Sequence, residues 1–329
     1  MVEKYNVRTD LALEERERFE SDNIEVKGVE LEESYDEEKE IRISKVIIRT
    51  EKGAKTMGKP VGTYLTLEAP NMVNPDEGYH REISVEISAF LKGLIDEHLP
   101  CHKEHNVLII GLGNREVTPD ALGPYVVDNL NITRHIIREY GKYASGTEHP
   151  SLVSAIVPGV MAQTGMETVE IVRGIVEETH PDLVIAVDAL AARNSRRLNR
   201  TIQIADTGIR PGSGVGNHRH GLTRESVGVP VIAIGVPTVV DAVTIVNDTM
   251  ENLVQAMESS KALKGVGNVL KSYSDAEKYE LISELISPHL NGMFVTPKDI
   301  DEMVKQTSYM ISEALNMLFQ NVQEACIQK

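Results

Sequence analysis

The sequence predicts an α/β protein: a doubly wound, mostly parallel sheet flanked by helices, with an antiparallel strand pair near the N-terminus and helices at the C-terminus. Three observations carry this expectation. Apolar runs of strand length, at 106–111, 152–157, 183–187 and 231–236, are rich in β-branched residues and read as buried strands. Segments with apolar residues at helical spacing alternate with them, which is the pattern of a parallel sheet with crossover helices. The first run ends in Gly111-Leu112-Gly113-Asn114, whose glycines let the backbone turn sharply at the strand's carboxyl end, where open α/β sheets bind ligands.

The elements follow in order. Residues 11–40 are strongly acidic, with Glu14, Glu15, Glu17, Glu20, Glu37, Glu38 and Glu40, and read as a solvated helix and loops. Residues 41–48 alternate as a strand, and 62–67 form a second, close enough for an antiparallel pair. Ile83, Ile87, Phe90, Leu91 and Leu94 mark a helix over 80–99 that Pro100 ends. After the 106–114 segment, Thr118 as cap and Pro119 at the first helical position open a helix running from about 120 to 139, with Pro124 in its first turns or breaking it. Helices are expected at 168–178 and 239–258, and a short strand at 201–205. A linker is expected at 259–273, and helices at 275–287 and 297–320, the last opened by Thr296-Pro297.

Composition narrows the classes. The chain is 41% hydrophobic with no Trp and four Phe, so its core is aliphatic. A net charge of −16 argues against nucleic acid or an anionic membrane as partner. Two distant cysteines, Cys101 and Cys326, argue against a disulfide framework and fit a reducing cytoplasm. The N-terminus lacks the apolar stretch of a signal peptide, and the longest apolar run, 229–240, is too short to span a bilayer.

Among candidate sites, Asp120 and Asp188 come first. Each is expected beyond the carboxyl end of a parallel strand, Asp188 directly and Asp120 through a short loop. Two carboxylates in one crevice share a proton. The ionised one can act as general base on water and the protonated one can donate to a carbonyl oxygen, which is what metal-free peptide hydrolysis requires. The plain alternatives are a first-turn helix residue for Asp120 and a turn residue for Asp188. Asp206-Thr207-Gly208 is the tripeptide of two-lobed aspartic proteases, but it occurs once in an α/β chain and reads as a loop near the crevice. The segment Pro211-Gly212-Ser213-Gly214-Val215-Gly216-Asn217-His218-Arg219-His220 offers backbone amides to a bound chain or anion, or is a surface loop. Gly113, Asn114, Gly212, Ser213 and Gly214 are the expected peptide-binding positions. Gly111-Leu112-Gly113 lacks the third glycine of a dinucleotide fingerprint, because Glu116 stands in its place. Neither cysteine has an accompanying base, so no cysteine nucleophile is expected.

Taken together, Gly111–Asn114, Val117–Pro124, Ser154–Met161, Asp188–Arg193 and Pro211–Asn217 resemble, in this order, the spore germination protease family of endospore-forming bacteria. The resemblance runs from about residue 5 to the C-terminal helix. It implies an endopeptidase that degrades small acid-soluble spore proteins in the spore core. It also implies an atypical aspartic protease made as a tetrameric zymogen, with catalytic aspartates at Asp120 and Asp188 and no cofactor or metal. The Gly-Leu-Gly-Asn strand end also resembles hydrogenase-maturation endopeptidases, which implies a core of that kind and keeps a metal-dependent endopeptidase as the alternative. A peptide-binding module without catalysis is a further alternative. Residues 1–10 are expected to be a propeptide, and 11–329 a single peptidase domain with its core at about 100–258 and a helical tail at about 275–320. Asp10-Leu11-Ala12-Leu13-Glu14 resembles the family's cleavage pattern: an acidic residue, a large apolar residue, alanine, then glutamate. The activating cut is therefore expected between Asp10 and Leu11.

Overall fold

A computed structural model describes residues 9–21, 26–99, 104–145, 150–212, 220–259 and 292–320. Cys101, Cys326, Pro100, Ser213, Gly214 and the expected helix at 275–287 lie outside them, as does nearly all of the expected linker. The described elements are α1 (Ala12–Ser21), β1 (Val29–Asp36), β2 (Ile41–Ile48), α2 (Glu51–Met57), β3 (Gly62–Glu68), α3 (Glu77–His98), β4 (Asn106–Gly111), α4 (Leu122–Asp128), α5 (Arg134–Tyr140) and β5 (Leu152–Ile156). They continue with α6 (Met161–Thr164), α7 (Thr168–Thr179), β6 (Leu183–Ala192), β7 (Thr201–Ala205), α8 (Arg224–Val227), β8 (Val231–Asp241), α9 (Ala242–Ser259), β9 (Phe294–Val295) and α10 (Ile300–Gln320).

All the strands belong to one nine-stranded sheet in the order β1-β2-β3-β7-β8-β6-β4-β5, with β9 paired to the end of β8. The block β8-β6-β4-β5 is parallel, and β1, β2, β3 and β7 extend it antiparallel. The expected pair, β2 with β3, is present. Alternation along each central strand feeds two cores. Val107, Ile109, Ile185 and Ile234 face α3, α4 and α10, packing with Ile87, Leu91, Val126 and Ile311. Leu108, Ile110, Val184 and Val231 belong to the opposite cluster, with Val169, Val172 and Val176 of α7. Burial on both faces explains why these strands read as unbroken apolar runs. Among the described residues no helix is long and apolar enough to cross a membrane.

Four expectations change. The helix expected over 120–139 is two helices, α4 and α5. Pro124 sits in the first turn of α4, and the break after Asp128 is held from α10: Asn316 Nδ2 donates to Asn129 O and Asn316 Oδ1 accepts from Asn131 N. The acidic stretch 11–40 is only partly a solvated helix and loops. Leu11, Ala12 and Leu13 are buried, and Val29–Asp36 is a strand whose side chains are mostly exposed, so no alternation marks it. The last helix starts at Ile300 rather than at Pro297, because Thr296 Oγ1 bonds to Thr238 O and keeps that residue on the sheet. Asp188 is not at a strand end. β6 continues to Ala192 because β8 goes on pairing with it after β4 has stopped at Gly111, which pairs with Val187.

The start of α4 presses directly on the strand backbones. A Cβ on Gly123 would lie 2.3 Å from Leu112 O and 2.6 Å from Val187 O, and one on Gly111 would lie 2.3 Å from Gly123 O. These neighbours are main chain and cannot yield as a side chain would. Gly123→Ala is expected to lower unfolding stability by about 1–3 kcal/mol or more, read by chemical denaturation; an unchanged midpoint would contradict so close a contact.

Candidate active site

The carboxyl ends of β4 and β5 open onto a cavity of about 290 Å³. The overhanging end of β6 forms one wall. Asp120, Asp188, Gly113, Gly159, Val160, Pro211 and Gly212 line it, together with Asp10 from the N-terminal segment. The structure thus brings both predicted carboxylates to one cleft.

Asp120 ends a single 3₁₀ turn, Thr118–Asp120, with Pro119 inside it. Its N–H donates to Val117 O at 2.7 Å, and its Oδ2 accepts from Asn114 N at 2.8 Å. Thr238 Oγ1 ties the turn to β8 through Pro119 O at 2.7 Å. Gly113 has a φ of 110°, and a Cβ there would fall 2.0 Å from Asp120 O, so glycine is required for the loop to wrap around this carboxylate. Asp188 is 5% exposed, and its Oδ1 accepts from Ala189 N at 2.9 Å. Asn114 also holds Gln163 Nε2 on its Oδ1 at 3.1 Å, which links the Asp120 loop to α6.

Other candidates fall elsewhere. Asp206 is absent from the cleft lining. Its Oδ1 accepts from Thr63 N at 2.8 Å and its Oδ2 pairs with His98 Nε2 at 3.4 Å, so it fastens the start of β3 to α3. His220 is exposed and pairs with Glu167 at 2.7 Å. Among the described residues no three His, Cys, Asp or Glu side chains are grouped to hold a metal ion.

The sequence reading missed how the N-terminal segment docks. Asp10 pairs with the free edge of β6: its N–H donates to Ala191 O, and its Oδ2 accepts from Ala191 N, each at 3.0 Å. Leu11 is fully buried against Leu190, Ala192, Leu198 and Val240. Glu14, 3% exposed, accepts from Arg193 N at 2.7 Å and Asn194 N at 3.0 Å, and also takes the Thr9 hydroxyl. Arg197 closes the group, bonding Glu17 at 2.6 and 2.9 Å and Glu68 at 2.8 Å, and lying 3.4 Å from Glu14. Burial alone would lower the Arg197 pKa; the bonds to Glu17 and Glu68 outweigh it and raise it. A further pair of polar groups, Lys59 and Gln203, meets the chain at residues 10 and 12. Lys59 Nζ donates to Asp10 O at 2.9 Å and Gln203 Nε2 to the same oxygen at 3.2 Å, while Ala12 N donates to Gln203 Oε1 at 2.7 Å.

Removing Arg197 would leave Glu14 buried without its cation, a loss of about 3–5 kcal/mol for a buried pair. In Arg197→Met we expect α1 to lose its place first, seen as faster proteolysis within residues 12–21. A cleavage rate equal to that of the parent would show that Glu14 is held by the loop amides alone.

Comparison with known proteins follows the same lines. The sequence profile of the family described as germination protease matches residues 6–264. A germination protease of Caldanaerobacter subterraneus is 47% identical over 321 residues, covering 97% of this chain and 96% of the relative. One from Clostridium perfringens is 45% identical with 96% of both chains covered, and one from Bacillus cereus is 40% identical with 96% and 94% covered. Among solved structures, a NiFe hydrogenase maturation protease from Thermococcus kodakarensis aligns with 69% of this chain and 98% of its own at 17% identity. Its TM-score of 0.31 is too low to carry an argument. With a profile match over most of its length and relatives at this identity, the chain belongs to the germination protease family and is a peptidase of spore germination.

Proposed function

We propose that this protein is an endopeptidase that starts the breakdown of small acid-soluble spore proteins in the spore core, made as a homotetrameric zymogen that cuts itself between Asp10 and Leu11. One observation carries the reading. Asp10, on the N-terminal side of that bond, lines the same cleft as Asp120 and Asp188, and the sequence around it resembles the substrate pattern. Asp10 is held there on the edge of β6 by one backbone bond and one side-chain bond to Ala191, a contact akin to the strand-edge binding by which peptides are often recognised.

Asp120 and Asp188 form the catalytic pair in this reading. The ionised carboxylate takes a proton from a water as its oxygen attacks the peptide carbon. The protonated one delivers its proton to the departing amide nitrogen. Gly113, Asn114, Gly212, Ser213 and Gly214 are the peptide-binding positions in this reading. The Asn114 amide on Asp120 keeps that carboxylate oriented. Residues 1–10 are the propeptide, and the rest forms the peptidase domain. The charge of −16 steers basic, DNA-binding substrates toward the enzyme and keeps DNA itself away.

Asp120→Asn and Asp188→Asn are each expected to keep the circular dichroism spectrum of the parent and to lose peptide cleavage by about 10³-fold or more, because base and acid act as a unit. Near-normal turnover in either variant would end the assignment. Full-length protein held at mildly acidic pH is expected to yield a new N-terminus at Leu11 by mass spectrometry, absent in Asp188→Asn. A chelator is expected to leave both activities intact; loss restored by one specific metal would favour the hydrogenase-maturation-like mechanism.

A further inference from the structure

A peptide bond about to be hydrolysed needs somewhere to put the negative charge that builds on its carbonyl oxygen. At Asp10 that oxygen is held by Lys59 Nζ at 2.9 Å and Gln203 Nε2 at 3.2 Å. The carboxamide of Gln203 spans the bond, since its Oε1 also accepts from Ala12 N at 2.7 Å. We infer that Lys59 and Gln203 are the oxyanion donors for cleavage at Asp10–Leu11, an inference that rests on the peptidase reading above.

The physical case is a mismatch in the resting state. An ammonium group taken out of water is costly unless it is well paired. Lys59 is half-buried. Burial lowers its pKa, with Arg210 acting the same way, while Asp10, Glu15 and Glu14 pull it back up. A neutral carbonyl is a weak partner for such a cation and an oxyanion is a strong one. The interaction is therefore stronger in the transition state than in the ground state, the condition for catalysis. Gln203 is fixed by its strand: it lies on β7 between Ile202 and Ile204, both buried in the core. Lys59 is placed by Gly58, the left-handed residue that ends α2 at φ 64°.

The step balances. The water oxygen bonds to the Asp10 carbonyl carbon, and the water's proton passes to the ionised carboxylate of the catalytic pair. The carbonyl π electrons move onto the oxygen facing Lys59 and Gln203. When they return, the C–N bond breaks and Leu11 N takes a proton from the other carboxyl group, leaving an acid at Asp10 and an amine at Leu11.

The test follows the rate at which Leu11 appears as N-terminus in full-length protein, alongside amide hydrogen exchange over residues 12–14. Lys59→Met keeps the length of the side chain and removes the donor. It is expected to slow processing by about 10²–10³-fold, the usual loss for one oxyanion donor, with exchange protection unchanged. Gln203→Glu keeps an acceptor for Ala12 N and removes the amide donor; at least a roughly tenfold slowing is expected, at the low end of such losses. Processing of Lys59→Met at the parent rate overturns the inference. Slow processing with lost protection over 12–14 also overturns it, because Lys59 then only docks the segment. If the parent protein yields no Leu11 terminus, or Asp188→Asn yields it undiminished, the peptidase reading itself has failed, a result separable from any effect at Lys59.

Discussion

Past Val187, β6 has no β4 beside it, yet every second residue still points its N–H and C=O toward the missing neighbour. Buried backbone groups must find partners, and along this edge they do so one after another. Val187 O takes Leu112 N, Ala189 N reaches the Asp188 side chain, Ala191 pairs in both directions with Asp10, and Arg193 N ends on Glu14. The cleft, the placement of Asp188 and the docking of the N-terminal segment all follow from this one unmatched strand edge. It exists because β8 extends as far as β6 and supports it from the other side.

The glycines set the opposite wall. Gly111 and Gly123 let α4 rest on the strand backbones, and Gly113 lets the next loop fold over Asp120. A single methyl at any of the three would push the 113–120 loop away from β6. The two aspartates occupy one cleft because the backbone between them is stripped to its smallest form.

Much of this was readable in the sequence, and the unread parts share a cause. Strand-length apolar runs give β4, β5, β6 and β8, and the glycines mark the turn after β4; Thr118-Pro119, read as the start of the following helix, opens a separate 3₁₀ turn before it. These are local signals, carried by residues that touch each other along the chain. β1 escaped because both of its faces are largely exposed, so nothing alternates. The burial of Leu11 and Glu14 escaped because their partners, Leu190 to Arg197, lie far along the chain, and an acidic run resembles a solvated one until its cation is known. Lys59 carries no sequence signal, and Gln203 only a faint one. One follows a helix-ending glycine and the other is a lone polar residue in an apolar strand, and only their meeting at Asp10 O gives them meaning. The burial pattern held one hint: a Gln inside Thr201–Ala205 must spend its amide on something.

The margin of the sheet at β1 is treated in the opposite way to the edge of β6. β1 lies at the end of the sheet order, with Glu30, Glu32 and Glu33 exposed along it. A strand with free hydrogen-bonding groups is a template on which another chain can add itself, the first step of uncontrolled aggregation. Two such margins brought together would set one row of glutamates against another at a spacing where like charges repel. The overhang of β6 presents alanines and a leucine, and holds Asp10. One continuous sheet thus carries an edge that holds the molecule's own N-terminal segment and another whose charge discourages pairing with a second copy.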